Sequence, residues 1–528
     1  MKKISVLDCT LRDGGYCNNW KFGKSNIIKI IQALEEAGSE IIECGYLSDI
    51  NQYDEDYSKY GSISQIEQIV SKDDADKLYV CMINYGEVDL DALPDYGGGC
   101  LQGIRVVFHK DKVYDALNYC AQIIKKGYKV FVQPMAIMDY SDEEVLNMID
   151  NVNYLKPYAF YIVDSFGVMK KRDLLHLYYM VEYNLSDEIC LGYHSHNNLQ
   201  LSYSNAQAFA EIPKSRDIII DCCIFGMGRG AGNLNSELFM RFLNETQGKS
   251  YQILPLIAVY DEALSVFYNR KPWGYSLANY LSAVYKCHPD YATYFEGKST
   301  LTIDDLNSVF NLIDNKKRNR FDAEYAANIY AEYMGAQSIM YKNNEKFVTL
   351  VKERGILIIA SGKSTIYEKN KIDAFIQKNN CVVISINTDN DFYHSEFIFL
   401  SNKRRYKQID KSLKRKMIIT SNIYCDNPYM VIAYDNYINN ISGVEDNSTM
   451  MLISYLIDIG IKQINIAGLD GFSTDLDNNY ADESMMIGIN SETVKLRNKG
   501  IAKFIKMVNK KVKINLITED NTNWRKYV

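Results

Sequence analysis

No stretch of the chain comes near the ~20 consecutive apolar residues that a membrane-spanning helix needs, so a soluble protein is expected. The apolar start Ile4–Leu7 behind Met1-Lys2-Lys3 is cut short by Asp8, Arg12 and Asp13, too soon for a secretory signal. Basic charge is not in excess. The net charge is -7 and the pI about 5.6, which argues against nucleic acid or an anionic membrane surface as partner. None of the 12 cysteines forms a CxxC pair, and their scatter reads as reduced, buried thiols in a cytoplasmic protein. Histidine is scarce, at 6 residues, so two sharing one short segment are conspicuous.

What is present is an alternating α/β pattern. With 528 residues the chain exceeds one ordinary core, and two or three domains are expected. Up to about residue 240, β-rich runs alternate with amphipathic segments. The candidate strands are Ile4–Asp8, Ile41–Cys44, Leu78–Ile83, Ile104–Phe108, Lys129–Met135, Phe160–Asp164, Leu191–His196 and Ile218–Phe225. Gly38 and Gly127 stand where helices should stop, and Ser141 with Glu144 forms a capping box. About eight strands in about 230 residues is the requirement of a TIM (β/α)8 barrel, with an open doubly wound sheet as the alternative.

Residues 241–345 read as a helical extension, and 346–528 as a Rossmann-like α/β domain with strands near 356, 382, 397, 417, 431, 464 and 514. Its basic stretch Lys403–Lys416 reads as a solvated face or as a phosphate-binding patch.

Barrel enzymes place their chemistry at the carboxyl ends of strands. The first strand here runs into Asp8-Cys9-Thr10-Leu11-Arg12-Asp13-Gly14, the second ends in Glu43-Cys44-Gly45, and the seventh ends in His194-Ser195-His196-Asn197. Histidines at i and i+2 of a strand share a face and can reach one ion. A carboxylate from another strand would complete half an octahedral shell and leave positions open. Asp13 is the natural candidate.

Taken together, TLRDG at 10–14, IECG at 42–45, VDSFG at 163–167, HSHN at 194–197 and GRGAGNLNSE at 228–237 resemble the DRE-TIM metallolyases, most nearly their 4-hydroxy-2-oxoacid aldolase branch. The resemblance covers about residues 1–237, and HPDY at 288–291 extends it more weakly. It implies a metal held by Asp13, His194 and His196, with Asn233 as a further ligand or a support for one. Mn2+ or Mg2+ is the implied ion. It also implies Arg12 beside the metal, Glu43 holding a water or orienting Arg12, and substrate contacts from Arg12, Asp164, Ser165 and His288. The implied activity makes or breaks a carbon–carbon bond between a 2-keto acid such as pyruvate and an aldehyde, a sugar of surface-polysaccharide metabolism being one candidate, in a homodimeric enzyme. A Claisen-type synthase using an acyl-CoA is the alternative, as is an inactive barrel carrying a nucleotide-sugar-binding domain.

One position departs from the aldolase pattern. Where those enzymes carry an acid/base histidine three residues after the motif aspartate, this chain has Tyr16. Either Tyr16 transfers the proton or the role passes to His288 or His109. The glycine-rich segment Phe225–Glu237 lacks the cysteine a CoA lyase needs; its glycines read as a tight turn or as an anion nest.

In the C-terminal region, Ser361-Gly362-Lys363-Ser364 follows a strand but lacks the first glycine of a P-loop. Its amides are candidates for holding a phosphate. Together with Gly468-Leu469-Asp470-Gly471 it weakly resembles nucleotide-sugar-handling domains, sialyltransferase-like ones included, so a nucleotide or phosphosugar is the expected ligand there.

Overall fold

The computed structural model describes all residues except 1–2, 50–52, 71–76, 214–215, 299–300, 336–343, 390–391, 520–523 and 528. Eight parallel strands of the N-terminal sheet make a ring: β1 (Ile4–Asp8), β2 (Ile41–Leu47), β3 (Leu78–Asn84), β4 (Leu101–Phe108), β5 (Lys129–Pro134), β6 (Ala159–Asp164), β7 (Cys190–Ser195) and β8 (Ile218–Cys222), and a ninth, two-residue strand, Lys59–Tyr60, pairs with β2. Each pairs with its sequence neighbour, and β1 pairs with both β2 and β8, Leu7 opposite Ile41 and Ile4 opposite Ile218. The ring is closed. An open doubly wound sheet is thereby excluded for this half of the chain, and the eight sequence-predicted strands are its eight staves.

These strands are buried on both faces, which explains their continuous apolar runs. Successive side chains alternate. On β6, Ala159, Tyr161 and Val163 fill the barrel with Leu7, Phe131 and Ile219, whereas Phe160 and Ile162 face the surrounding helices. Gly192 on β7 leaves room for the Tyr161 ring, whose atoms a Cβ would approach to 2.2 Å. Three charged residues break the apolar pattern of the interior. Glu43, Arg105 and Asp221 alternate with the outward-facing Ile42, Cys44, Ile104, Val106, Ile220 and Cys222.

The helix Lys24–Ala37 ends at Gly38 in a left-handed conformation. The box at Ser141 is formed, its hydroxyl accepting from the Glu144 amide and the Glu144 carboxylate accepting from the Ser141 amide. The stretch expected as one helix over Tyr251–Phe267 is instead Leu254–Val259, a π-helical turn Tyr260–Leu264 and Ser265–Arg270. His288 sits just ahead of a short helix, Pro289–Glu296.

The chain packs into two units, Met1–Thr293 with Asp314–Phe321 and Tyr294–Ile313 with Asp322–Val528. The helices after residue 241 are therefore shared between the units. The second unit holds a parallel sheet of β9 (Ile356–Ile359), β10 (Val382–Ile386), β11 (Phe397–Leu400), β12 (Met417–Thr420), β13 (Met430–Ile432), β14 (Gln463–Ala467) and β15 (Lys513–Leu516). Strand order is β13-β12-β11-β10-β9-β14-β15, which reverses direction at β9. Among the described residues no helix is long and apolar enough to cross a membrane.

Candidate metal centre

Asp13 follows β1 on a tight turn, its amide donating to the Cys9 carbonyl at 2.8 Å. His194 and His196 lie at the carboxyl end of β7, their rings 5.3 Å apart and nearly perpendicular. Both Nε2 atoms face one carboxylate oxygen. His194 Nε2 is 3.4 Å and His196 Nε2 3.5 Å from Asp13 Oδ2. All three residues are buried, and their ligand atoms lie within 4.8 Å of one another.

The surroundings are short of donors. Both Asp13 oxygens, and Asn233 Oδ1, are buried without a hydrogen-bond partner. A buried acceptor with no donor costs on the order of 1–3 kcal/mol, so this cluster of acceptors beside two imidazoles is a place for a cation. Asn233 bridges His196 through the backbone, and its Nδ2 donates to the Met227 carbonyl at 3.2 Å, which leaves Oδ1 free to face away from that bond. Gly228 makes that possible, since a Cβ there would lie 2.2 Å from Asn233 Nδ2.

Beneath the ligands runs a chain of buried charges. His194 Nδ1 is 3.0 Å from Asp221 Oδ2, which holds a proton on Nδ1 and turns Nε2 toward Asp13. Asp221 is also bound by Arg105. Arg105 Nη1 then donates to Glu43 Oε2 at 2.8 Å, and that oxygen accepts from Arg12 Nε at 2.9 Å. Arg12 returns to the start, its Nη1 3.4 Å from Asp13. Glu43 thus orients Arg12. Burial opposes charge on Asp13, yet the neighbouring Arg12 holds its carboxyl well below the usual range. Burial likewise opposes the charged form of His194, but the adjacent carboxylates of Asp13 and Asp221 raise its pKa well above the ordinary value. His196 has no carboxylate at Nδ1, and burial pushes it down to about 3 despite Asp13 beside Nε2.

Cys9, His194 and Asp221 form a second cluster with metal-ligand geometry. There Asp221 Oδ2 is already bound by Arg105, and a cation would face that guanidinium. Asp13 makes no hydrogen bond and meets its guanidinium, that of Arg12, only at 3.4 Å, which makes the first cluster the better site.

The other candidates are distributed unevenly. Tyr16 is at the barrel mouth, its hydroxyl 3.3 Å from that of Tyr46 and its ring 4.7 Å beneath the guanidinium of Arg229. His288 is at the same rim, with Nε2 3.0 Å from Arg229 Nη1. That lone pair is occupied, and burial pushes His288 down to about 2, so it is a poor proton acceptor. His109 is solvent-exposed. Asp164 accepts from the amides of Val168 and Met169, and Ser165 Oγ accepts from the Ala136 amide. Both side chains thus brace loops at the carboxyl ends of the strands. Sequence reasoning passed over Asp221, Arg105 and Arg229. A lone charge inside an apolar strand, as in Ile218–Cys222 and Leu101–Phe108, was the signal for the first two.

In the second unit, a cavity of about 100 Å3 opens at the carboxyl ends of β9, β10 and β14, lined by Ser361, Gly362, Asn387, Ser448, Thr449 and Asp470 among others. The amides expected to hold a phosphate are engaged elsewhere. Ser364 donates to Asp470 at 2.7 Å and Gly362 to the Gly468 carbonyl at 3.0 Å. An adjoining cavity of about 90 Å3 is lined by Arg405, Arg497 and Asp446. Buried Arg405 has no carboxylate in ion-pair range among the described residues, and burial lowers its pKa. The basic stretch is otherwise partly paired, Lys403 with Asp305, Lys407 with Asp304 and Lys414 with Asp426.

Residues 102–258 match the HMGL-like family model. A 4-hydroxy-2-oxovalerate aldolase of Geobacillus genomosp. 3 is 25% identical over 245 residues, 46% of this chain and 70% of the relative. An oxaloacetate decarboxylase of Mycobacterium tuberculosis is 23% identical over 278 residues, 52% of this chain and 79% of that one. The crystal structure of an HMG-CoA lyase from Brucella melitensis covers 49% of this chain and 96% of its own, at 14% identity and a TM-score of 0.40. The closed barrel thus carries an HMGL-like domain at residues 102–258, similar to the DRE-TIM metallolyases.

Proposed function

We propose that the barrel is a divalent-metal-dependent carbon–carbon lyase of the aldolase type, joining or separating a 2-keto acid and an aldehyde. The observation that carries this reading is the unpartnered Asp13 carboxylate between the Nε2 atoms of His194 and His196. Those three residues would hold the ion, Mn2+ or Mg2+ by the mixed N/O donor set, with Asn233 Oδ1 as a fourth donor. The ion supplies Lewis acidity at the keto oxygen when bound.

The chain's own groups do the rest. Arg12, clamped by Glu43, donates N–H groups to the oxygen that gains charge as the bond to the aldehyde carbon breaks, and it cannot itself lose a proton at neutral pH. In the cleavage direction a base must take the proton of the alcohol that becomes the aldehyde. With His288 Nε2 bonded to Arg229, Tyr16 is the group at the mouth for that transfer, in hydrogen-bond contact with Tyr46. Incubation with pyruvate and Mn2+ in D2O tests the reading. Deuterium should enter the pyruvate methyl group by NMR, and Asp13→Asn should abolish it; no incorporation by the wild-type enzyme would sink the proposal.

For the second unit we propose a nucleotide or phosphosugar ligand. Its cavity lies where the strand order reverses, the favoured ligand position of an open α/β sheet. Arg405 and Arg497, together with the start of the helix Ser448–Asp458, supply positive charge along the adjoining cavity. Calorimetry with nucleoside diphosphates, on wild type and Arg405→Gln, tests this.

A further inference from the structure

Arg229 carries a charge that the metal centre does not use. The buried network holds three carboxylates, those of Asp13, Glu43 and Asp221, against the guanidinium groups of Arg12 and Arg105, a sum of -1 with both imidazoles neutral. A divalent ion brings the sum to +1, and the carboxylate of a 2-keto acid brings it to zero. The centre is then balanced without Arg229.

Arg229 nevertheless points its charge at the same mouth. It projects from the loop after β8, covers the Tyr16 ring at 4.7 Å and bonds His288 at 3.0 Å. It is close enough to His196 to help depress that imidazole's pKa, after burial and the other nearby charges. Its Nε is buried without a partner. Among the described residues it has no carboxylate within ion-pair distance, and the nearest acid on the rim, Asp290, turns toward His288 at 3.7 Å. Neither Tyr16 nor neutral His288 supplies a compensating negative charge.

We infer that Arg229 is a specificity-determining residue that binds an anionic group, carboxylate or phosphate, on the aldehyde partner. This rests on the aldolase reading above. A cation held by an aromatic face and a single imidazole bond keeps two nitrogens of its planar fork for a ligand, and the fork fits the paired oxygens of either anion. Placed beside Tyr16, the anion would set the aldehyde carbon at the end of the site where the proton is transferred.

Two matched pairs of aldehydes test it with the full-length, Mn2+-loaded enzyme: succinic semialdehyde against butanal, and glyceraldehyde 3-phosphate against glyceraldehyde. Condensation with pyruvate should favour the charged member of one pair by at least about tenfold in kcat/KM, and whichever pair shows it identifies the anion. Arg229→Gln should bring that ratio near one, and Arg229→Lys should restore part of it. Equal kcat/KM within both pairs, or a preference that survives in Arg229→Gln, would overturn the assignment. Absence of pyruvate deuteration in the wild type would count against the parent reading alone. Calorimetric binding of the same pairs would then still decide Arg229, since a charged-over-neutral preference lost in Arg229→Gln supports it and none overturns it.

Discussion

Asp221 holds His194 by its Nδ1, at 3.0 Å, and so decides that Nε2 is the nitrogen facing Asp13, where a metal would bind. Asp221→Asn keeps the shape but can present an N–H to the ring, favouring the wrong tautomer. Metal affinity should fall about 10–100-fold, measured by calorimetry with Mn2+. An unchanged affinity would mean that the ring is oriented by its packing.

Arg12 and Asp13 are adjacent but separable. Asp13→Asn should remove most metal binding, because the carboxylate is the one anionic donor of the cluster. Arg12→Lys keeps the charge and loses the planar fork that joins Glu43, so metal affinity should persist while kcat drops by about 10-fold or more. A parallel loss of metal from Arg12→Lys would show that the guanidinium shapes the ligand set itself.

Metal affinity should rise with pH, through one proton. His194 is protonated in the metal-free protein up to a pKa raised well above its ordinary value, whereas His196, at about 3, stays neutral. Each pH unit below the His194 pKa should weaken binding about tenfold, and the dependence should persist above pH ~6.5. The stability of the metal-free protein should run the other way. The contribution of protonated His194 is complete below its unfolded pKa near ~6.5 and is lost as pH rises through the folded pKa. Melting temperatures with and without Mn2+ across that window check both signs.

Tyr16→Phe should impair aldol cleavage and condensation while leaving pyruvate deuteration largely intact, because Arg12 attends the enolate and the phenol serves the aldehyde oxygen. Loss of both would make Tyr16 a structural support of the mouth. Retention of both would return the proton transfer to another group.

The barrel strands and the meeting of Asp13, His194 and His196 were legible because their signals are local. Apolar runs mark strands, and His194 and His196 two apart on one strand share a face. Roles that depend on distant partners were not. Asp164 and Ser165 stand beside the site in sequence but bond the amides of Val168, Met169 and Ala136, and no spacing announces a side chain engaged by backbone. Arg229 looked like part of a glycine-rich turn, and its position over Tyr16 joins residues 213 apart in the chain. The π-helical turn at Tyr260–Leu264 has no glycine or proline to mark it.

The alternation of charge through Arg12, Glu43, Arg105, Asp221 and His194 limits how this barrel can drift by mutation. Removing Arg105 alone would leave two buried carboxylates facing each other, a loss of about 3–5 kcal/mol, and removing either carboxylate alone would leave Arg105 with one buried partner where it now has two. Single steps are costly at every link. The loops above can exchange residues freely and so change which aldehyde is accepted, but the floor can change only by coordinated replacement of oppositely charged neighbours. Variation in substrate among such barrels should therefore accumulate at positions like Tyr16 and Arg229 while the layer below stays in place.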